Sequence, residues 1–254
     1  MTSEYLQDIF HYYISKITIG LTIPPSQVIN REKILALLYS ICESNNLSPS
    51  TFQLSVQLFN IFLSNTPINP PNLELVGLTS LFISNKYYGE THWDLVHMER
   101  ISSNKFSPFH IQITEIFILQ SIEWQIAMPT ASEILRVLLL VTGVTSNFQK
   151  VFERSDAFVV TCYLDAKFCR YCAAEIAVVA VVCALEQFNQ TAFRNQWVGF
   201  VCTRLRLDGS RLDSCKMMLV EKLILLTPAV DRNKIECLTR ENVSSLILAK
   251  DNFK

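Results

Sequence analysis

The stretch that decides the fold is Asn72–Tyr88, with the sequence NLELVGLTSLFISNKYY. Its apolar residues cover most of the circumference of a helix; they are Leu73, Leu75, Val76, Leu78, Leu81, Phe82 and Ile83. A helix that is apolar nearly all round belongs in the middle of a globular domain, with other helices packed around it. Glycine and serine lower helix propensity, so Gly77 and its small neighbours indicate that those helices approach closely. The stretch turns polar at its end, where Lys86 is well placed to present its ammonium group to the outside.

Length and composition favour a helical globular protein. The chain has 254 residues, half of them hydrophobic, which is enough for one large domain or two of ordinary size. Only six glycines and nine prolines argue against a loop-rich β-sandwich or a disordered chain. The formal net charge is −1 and no long run of one sign occurs, whereas proteins that grip nucleic acid through phosphates usually carry a basic face.

Targeting signals and metal motifs are weak. Acidic residues stand where a secretory signal would be basic, and the apolar run Ile176–Leu185 is too short to span a bilayer. The eight cysteines lie mostly in apolar helical patterns, which predicts reduced, buried thiols in an intracellular protein. Cys169-x-x-Cys172 has the spacing of a zinc pair, but no second pair follows and no histidine occurs after His110. We therefore expect neither a metal nor a cofactor.

Helical periodicity recurs in two sets of five segments, which predicts an all-α fold. The first set is a helix capped by Asn30, a helix opened by Ser48-Pro49, the stretch Asn72–Tyr88, Asp94–Ser102 and Pro108–Ile122. The second set is Ala131–Thr142 (capped by Thr130), Asn147–Phe168, Ala173–Phe188, Ala192–Leu205 and Ser210–Leu226. The third segment of each set is the most apolar, so the architecture repeats. The predicted parts are an N-terminal helix with a linker (1–27), two five-helix units (28–128 and 129–227) and a tail (228–254), with at most a short helix near Val243–Lys250.

Specific motifs extend this architectural pattern. Asn30–Ser64 aligns without a gap to the opening of the cyclin box, and Leu75-Val76-Gly77 falls on its Leu-Val-Gly. Ser84-Asn85-Lys86 falls on Ala-Ser-Lys, Glu115 falls on a glutamate of the fifth helix, and Met128-Pro129-Thr130 matches the Ala-Pro-Thr that joins the two units. The chain therefore resembles the cyclin family. In the second unit, CYLDAKF at residues 162–168 is similar to the C-A-T-D-V-K-F of D-type cyclins.

Several positions depart from the family pattern. Asn60 stands where the family has the aspartate that pairs with Arg31, so that contact keeps a hydrogen bond but loses its charge-assisted part. The substrate-docking patch is degenerate; it comprises Asn30, Lys33, Ile34, Leu37 and Glu74. We expect recruitment of substrates or inhibitor proteins through Arg-x-Leu motifs to be weakened or altered. The chain lacks the retinoblastoma-binding L-x-C-x-E signature of D-type cyclins and a long C-terminal tail. In these respects it resembles the cyclins of gammaherpesviruses.

The resemblance implies a regulatory role without chemistry of its own. Cyclins bind a cyclin-dependent kinase and push its C-helix inward, which aligns the lysine–glutamate pair that positions ATP. By resemblance, Lys86 and Glu115 are the central polar contacts to the kinase, and the alternative for them is an intramolecular salt bridge or solvated charge. The surrounding kinase contacts would be Tyr87, Leu119, Trp124, Ile126, Ile9 and Tyr12, for which packing inside the chain is the alternative. Arg31, Asn60 and Leu75 are expected to be structural.

Two other classes of function share parts of the pattern. A transcription-factor-B-like double helical repeat would bind nucleic acid or transcription proteins, but it needs a basic surface and usually a zinc ribbon. A retinoblastoma-pocket-like module would be larger. No Gly-rich phosphate loop or catalytic triad supports an enzyme. We expect a heterodimer with a cyclin-dependent kinase, which would phosphorylate substrates such as retinoblastoma protein and drive G1/S progression. We expect no binding to nucleic acid or to a membrane. The expected location is the nucleus and cytoplasm of a host cell.

Overall fold

The computed structural model of the protein describes residues 12, 21, 25–89, 91–142 and 148–226. Within these residues the fold is helical throughout, without a strand, so the all-α prediction is confirmed. The first five helices are α1 (Pro25–Ser44), α2 (Pro49–Asn65), α3 (Pro70–Tyr88), α4 (Leu95–Ile101) and α5 (Pro108–Ser121). The next five are α6 (Ala131–Val141), α7 (Phe148–Leu164), α8 (Ala173–Gln187), α9 (Thr191–Leu205) and α10 (Gly209–Leu226), with a 3₁₀ helix at Ala166–Arg170.

The first compact unit comprises Ile19–Thr130 together with Tyr163–Arg170. Its centre is α3, which packs against α1, α2 and α5. Ten consecutive residues of α3, from Val76 to Asn85, are buried, as expected for a helix surrounded by others. The central position predicted for this helix is therefore confirmed.

Among the described residues, the second compact unit comprises Tyr12, 131–142, 148–162 and 171–226. Its centre is α8, which packs against α6, α9 and α10. Every residue of α8 from Ala173 to Glu186 is buried. At the start of α8, the Glu175 side chain accepts a hydrogen bond from the Cys172 backbone N–H at 2.8 Å, and Cys172 Sγ accepts one from the Glu175 N–H, which forms a capping box.

Serine-proline pairs mark helix starts as predicted. Ser48 Oγ accepts a hydrogen bond from the Thr51 N–H at 3.2 Å, and Ser107 Oγ accepts one from the His110 N–H at 3.4 Å. The proline that follows each serine occupies the first helical position, where its missing N–H costs nothing.

Two predicted helix starts were wrong for a related reason. The first helix begins at Pro25, so Asn30 lies inside it and is not its cap. The third helix begins at Pro70, two residues before Asn72. Pro25 was assigned to the linker and Pro70 to the chain before the predicted helix, although proline is compatible with the first turn of a helix.

The predicted helix Asn147–Phe168 is divided by Asp165. The α-helix ends at Leu164, and Asp165 Oδ1 accepts a hydrogen bond from the Lys167 N–H at 2.9 Å. An aspartate that bonds the backbone two residues ahead forms a turn that competes with the helix. The chain therefore continues from Ala166 as a 3₁₀ helix.

Some predictions fall on residues outside the described part of the chain. They concern the N-terminal helix other than Tyr12, including Ile9, and the tail after residue 227 with its short helix. The domain boundaries given above stay predictions. None of the helices in the described residues is long and apolar enough to be a membrane span.

Candidate functional site: a charged and apolar surface on α3 and α5

The end of α3 is fixed so that two side chains project from it. Gly89 follows the helix with φ +64°, a left-handed conformation that glycine adopts without strain, and its N–H bonds the Asn85 carbonyl at 2.9 Å. The buried Asn85 side chain donates to the Thr91 carbonyl at 2.9 Å and accepts from the Thr91 hydroxyl at 2.8 Å. Because hydrogen bonds fix the end of the helix in this way, the exposed side chains of Lys86 and Tyr87 project into solvent from a defined backbone position.

Lys86 and Glu115 lie side by side, although 29 residues separate them in sequence. Helix α5 packs against α3, and the Lys86 ammonium donates a hydrogen bond to Glu115 Oε1. The Lys86 side chain is 44% exposed and the Glu115 side chain 16% exposed, so the pair is open to solvent on the lysine side. Lys86 Nζ also lies 4.4 Å from the centroid of the Phe82 ring, a cation–π contact.

The structure contains the intramolecular salt bridge that was one alternative interpretation of these two residues. This contact does not exhaust their bonding capacity, because an ammonium group has three donors and a carboxylate has about four acceptor sites. The kinase-contact role of Lys86 and Glu115 stays a prediction.

The four apolar residues predicted around the pair differ in exposure. Tyr87 and Trp124 are exposed, and Ile126 is half-buried. Leu119 is only 8% exposed and packs in the unbound chain. The surface beside Glu115 therefore offers two aromatic side chains but little of Leu119.

The backbone that carries Trp124 is unusual. Glu123 and Trp124 have φ of 52° and 61°, in the left-handed region that residues other than glycine rarely enter. The Trp124 N–H bonds the Leu119 carbonyl at 2.9 Å, which holds this conformation at the end of α5. Trp124 is 62% exposed, so the turn presents a large aromatic ring to solvent. Backbone strain of this kind concentrates at functional sites.

Sequence reasoning missed a set of exposed apolar residues on α5. Phe109, Ile113, Ile116 and Phe117 are all exposed, whereas Ile111 and Ile118 face the core. The available signal was that α5 is apolar on all sides and short of charge. A helix of this type at the edge of a unit has an apolar face that its own unit does not cover.

The residues of the predicted docking patch lie on α1 and α3, which pack together. Lys33 and Leu37 are exposed, and Asn30 and Ile34 are half-buried. The Glu74 carboxylate accepts hydrogen bonds from Lys105 Nζ at 2.8 and 3.0 Å. A ligand cation at this patch would therefore compete with Lys105 for Glu74.

Arg31 is buried inside the first unit. Its Nε donates to Asn60 Oδ1 at 2.8 Å and its Nη2 donates to the Tyr163 carbonyl at 3.1 Å, while its Nη1 has no hydrogen-bond partner. Burial lowers the pKa of the Arg31 guanidinium, and the charges of Cys169, Glu32 and Asp165 raise it in part. Leu75 is half-buried on α3.

Five of the seven cysteines in the described part of the chain are buried. Burial raises the pKa of the Cys172 thiol to about 11 and that of the Cys202 thiol to about 12, so both thiols are protonated at neutral pH. Within the described residues no group of three or more histidine, cysteine, aspartate or glutamate side chains could hold a metal ion. Tyr12, in the second unit, is exposed.

Comparison with known proteins finds a family model that matches most of the first unit. The family model of the cyclin N-terminal domain matches residues 8–127. Among curated proteins, the G1/S-specific cyclin-D1 of Canis lupus familiaris is 23% identical over 192 residues, which cover 73% of this chain and 65% of that protein. The chain thus spans slightly less than two-thirds of the length of this relative.

Two solved structures share the fold. A viral cyclin from herpesvirus saimiri superposes with a TM-score of 0.65 at 17% identity, covering 89% of this chain and 100% of that chain. A chain of the CAK complex from Chaetomium thermophilum, bound to ATP-gamma-S, gives a TM-score of 0.59 at 13% identity, with 98% and 86% covered. The resemblance to D-type and viral cyclins that the sequence predicted is confirmed by these matches.

Proposed function

We propose that this chain is a member of the cyclin family and a regulatory subunit that binds and activates a cyclin-dependent kinase. Such a subunit supplies no catalytic group; the kinase supplies the chemistry and the cyclin sets its conformation. The sequence similarity to G1/S-specific cyclin-D1 and the shared fold of a viral cyclin support this proposal.

The observation that carries the proposal is the surface formed by α3 and α5. It combines an accessible ion pair, Lys86–Glu115, with the exposed aromatic rings of Tyr87 and Trp124. Tyrosine and tryptophan are enriched among the residues that dominate interface energetics. The remaining donors of the ammonium group and acceptors of the carboxylate are suited to backbone carbonyl and N–H groups of a partner.

Activation requires that these contacts favour one state of the kinase. A ligand shifts a conformational equilibrium only by its difference in affinity for the two states. We propose that Lys86 and Glu115 bond backbone groups beside the kinase C-helix in its inward position. The inward position brings the kinase's own lysine and glutamate together on the ATP phosphates.

The proposal includes the biological setting. The chain would be a D-type-like viral cyclin that directs phosphorylation of substrates such as retinoblastoma protein and drives G1/S progression, in the nucleus and cytoplasm of a host cell. The CAK-complex chain with the same fold comes from an assembly bound to an ATP analogue, which supports a kinase partner. Substrates and inhibitor proteins would bind an altered docking patch, in which Lys105 competes for Glu74.

The test is a phosphorylation assay with purified, unphosphorylated cyclin-dependent kinases and histone as substrate. We expect the wild-type chain to raise activity and the double variant Lys86→Ala/Glu115→Ala to reduce that stimulation roughly 100-fold, because bonds to charged groups contribute about 1.5–3 kcal/mol each. Lys150→Ala/Glu153→Ala, which removes an exposed lysine and an exposed glutamate of α7 in the second unit, is the matched control and should stay near wild type.

Two outcomes would contradict the proposal. If the chain bound DNA but no cyclin-dependent kinase, the result would favour the transcription-factor-B-like alternative. A chain that binds the kinase and leaves it inactive would be a sequestering protein.

A further inference from the structure

A serine or threonine precedes a proline at four positions of the chain, namely Ser48, Thr66, Ser107 and Thr227. This dipeptide is the minimal acceptor sequence of proline-directed protein kinases, which transfer the γ-phosphoryl group of ATP to the hydroxyl. Thr227 lies outside the described residues. The structure separates the other three positions, because a kinase active site accepts an accessible hydroxyl on an extended segment.

Ser48 and Ser107 are parts of helix starts. The Ser48 hydroxyl oxygen accepts a hydrogen bond from the Thr51 N–H at 3.2 Å, and the Ser107 hydroxyl oxygen accepts one from the His110 N–H at 3.4 Å. The proline after each serine is the first residue of α2 or α5, so the chain on the proline side of the hydroxyl is helical. A kinase could bind either position only after the first turn of that helix had unwound.

Thr66 lies in a different setting, the connection between α2 and α3. Residues 67–69 belong to no helix. Thr66 itself has φ −134° and ψ 117°, the extended conformation that a following proline favours. Its neighbours Asn65 and Pro67 are exposed. The Thr66 hydroxyl makes no hydrogen bond to any described residue and is not a buried polar atom, so solvent reaches it.

We propose that Thr66 is a phosphorylation site for a proline-directed serine/threonine kinase. In the reaction the Thr66 oxygen forms a bond to the γ-phosphorus of ATP, and the bond from that phosphorus to the oxygen bridging it to the β-phosphorus breaks. ADP leaves, and the hydroxyl proton passes to a base of the kinase. The chain is the substrate in this step, so the inference does not depend on the proposed function.

A phosphate on Thr66 would lie at the carboxyl end of α2. Thr66 is the C-cap of this helix, and its N–H donates to the Phe62 carbonyl at 2.9 Å. A phosphate carries a charge of about −1.5 to −2 at neutral pH, which is repelled by the negative end of the helix dipole. Phe62 and Leu63 in the last turn are buried, so weakening this turn loosens the core of the first unit.

The experiment incubates the full chain with MgATP and an active mitogen-activated protein kinase, a proline-directed kinase that works without a cyclin. Mass spectrometry gives the initial rate of phosphorylation at each position. Each rate is divided by the rate for a peptide of the same sequence, covering residues 42–54, 60–72 or 101–113, which removes the intrinsic preference of the kinase. We expect the normalised rate at Thr66 to exceed those at Ser48 and Ser107 at least about 10-fold, the factor that corresponds to loss of a helix cap.

The variant Thr66→Val keeps the β-branched shape and removes the acceptor oxygen, so it should lose the phosphate that maps to residue 66 and no other. Equal normalised rates at the three positions would overturn the inference. A full chain that stays unmodified at Thr66 while its peptide reacts would also overturn it, as would a 60–72 peptide that does not react. If the chain bound no cyclin-dependent kinase but carried phosphate on Thr66, the proposed function would fail and this inference would stand.

Hydrogen exchange tests the consequence for the helix. Phosphorylated chain should exchange the amide hydrogens of residues 62–66 roughly 2- to 5-fold faster than unmodified chain, the factor expected for an unfavourable charge at a helix end. Thr66→Val treated with the same kinase is the matched control and should show no change. Unchanged exchange in chain phosphorylated at Thr66 would contradict the effect on α2.

Discussion

Replacing Glu186 by glutamine is expected to lower the free energy of unfolding of the second unit by roughly 3–5 kcal/mol. Glu186 Oε1 accepts hydrogen bonds from Arg194 Nη1 and from Lys216 Nζ, each at 2.7 Å. All three side chains are almost fully buried. Glutamine keeps the shape but removes the negative charge, so two buried cations would lose the carboxylate that compensates them.

Two opposing effects determine the pKa of the Glu186 carboxyl. Burial raises the pKa of the Glu186 carboxyl above its ordinary value, and hydrogen bonding and charge attraction from Lys216 and Arg194 lower it in part. The contribution of this cluster to stability is therefore a balance of a large desolvation cost and a large attraction. Removing the charge of one partner therefore lowers the free energy of unfolding strongly, whereas replacing the whole cluster by apolar residues does not.

Urea denaturation followed by circular dichroism measures this effect. Glu221→Gln, an exposed glutamate on α10 of the same unit, is the matched control and should change the unfolding free energy by less than about 0.5 kcal/mol. The variant Glu186→Leu/Arg194→Met/Lys216→Met should recover most of the loss, because apolar residues of similar volume can replace a buried ion cluster. If Glu186→Gln were as stable as Glu221→Gln, the cluster would be solvated and this account of it would be wrong.

Replacing Gly77 by alanine is expected to destabilise the first unit by about 1–3 kcal/mol, although alanine is the better helix former by about 1 kcal/mol. A Cβ atom at position 77 would lie 2.4 Å from Ile34 Cγ2 and 3.6 Å from Leu38 Cδ1. The Ile34 methyl group is attached to its own Cβ, so it can leave only by rotation about a stiff χ1 or by movement of α1. The contact between α1 and α3 must therefore open.

A double-mutant cycle with Ile34→Ala locates the cause. Removing the Ile34 side chain makes room for the new methyl group, so Gly77→Ala should cost much less in the Ile34→Ala background. Hydrogen exchange should show faster exchange in α1 and α3 of Gly77→Ala, and Asn72→Ala, at an exposed position of α3, should not change exchange there. Additive effects of Gly77→Ala and Ile34→Ala would contradict the proposed clash.

Local sequence signals were sufficient for most of the fold. The apolar circumference of Asn72–Tyr88 and of Ala173–Phe188 predicted the two central helices, and Ser48-Pro49 and Ser107-Pro108 predicted two helix starts. These features depend on neighbouring residues alone, so periodicity and capping chemistry can reveal them. The starts at Pro25 and Pro70 and the break at Asp165 were missed because proline and aspartate are compatible with more than one local structure.

The candidate site was harder to predict because it depends on contacts between distant residues. Nothing local shows that Lys86 and Glu115, on two helices, share a hydrogen bond. Periodicity also cannot distinguish the buried Leu119 from the exposed Phe117, since both are apolar residues of one helix that is apolar on all sides. Motif resemblance located the charged pair, and only the packed structure revealed which apolar residues of α5 are exposed beside it.

The most direct test of the central claim exchanges the two charges in the variant Lys86→Glu/Glu115→Lys and measures its affinity for an unphosphorylated cyclin-dependent kinase. The exchange keeps an ion pair between α3 and α5 but reverses the donor and acceptor presented to the kinase backbone. We predict an unchanged melting temperature and affinity at least about 100-fold weaker than wild type, because two charge-assisted hydrogen bonds are lost. Wild-type affinity in the exchanged variant would show that the pair serves only to join the two helices, and it would contradict the claim that Lys86 and Glu115 form the centre of the kinase contact.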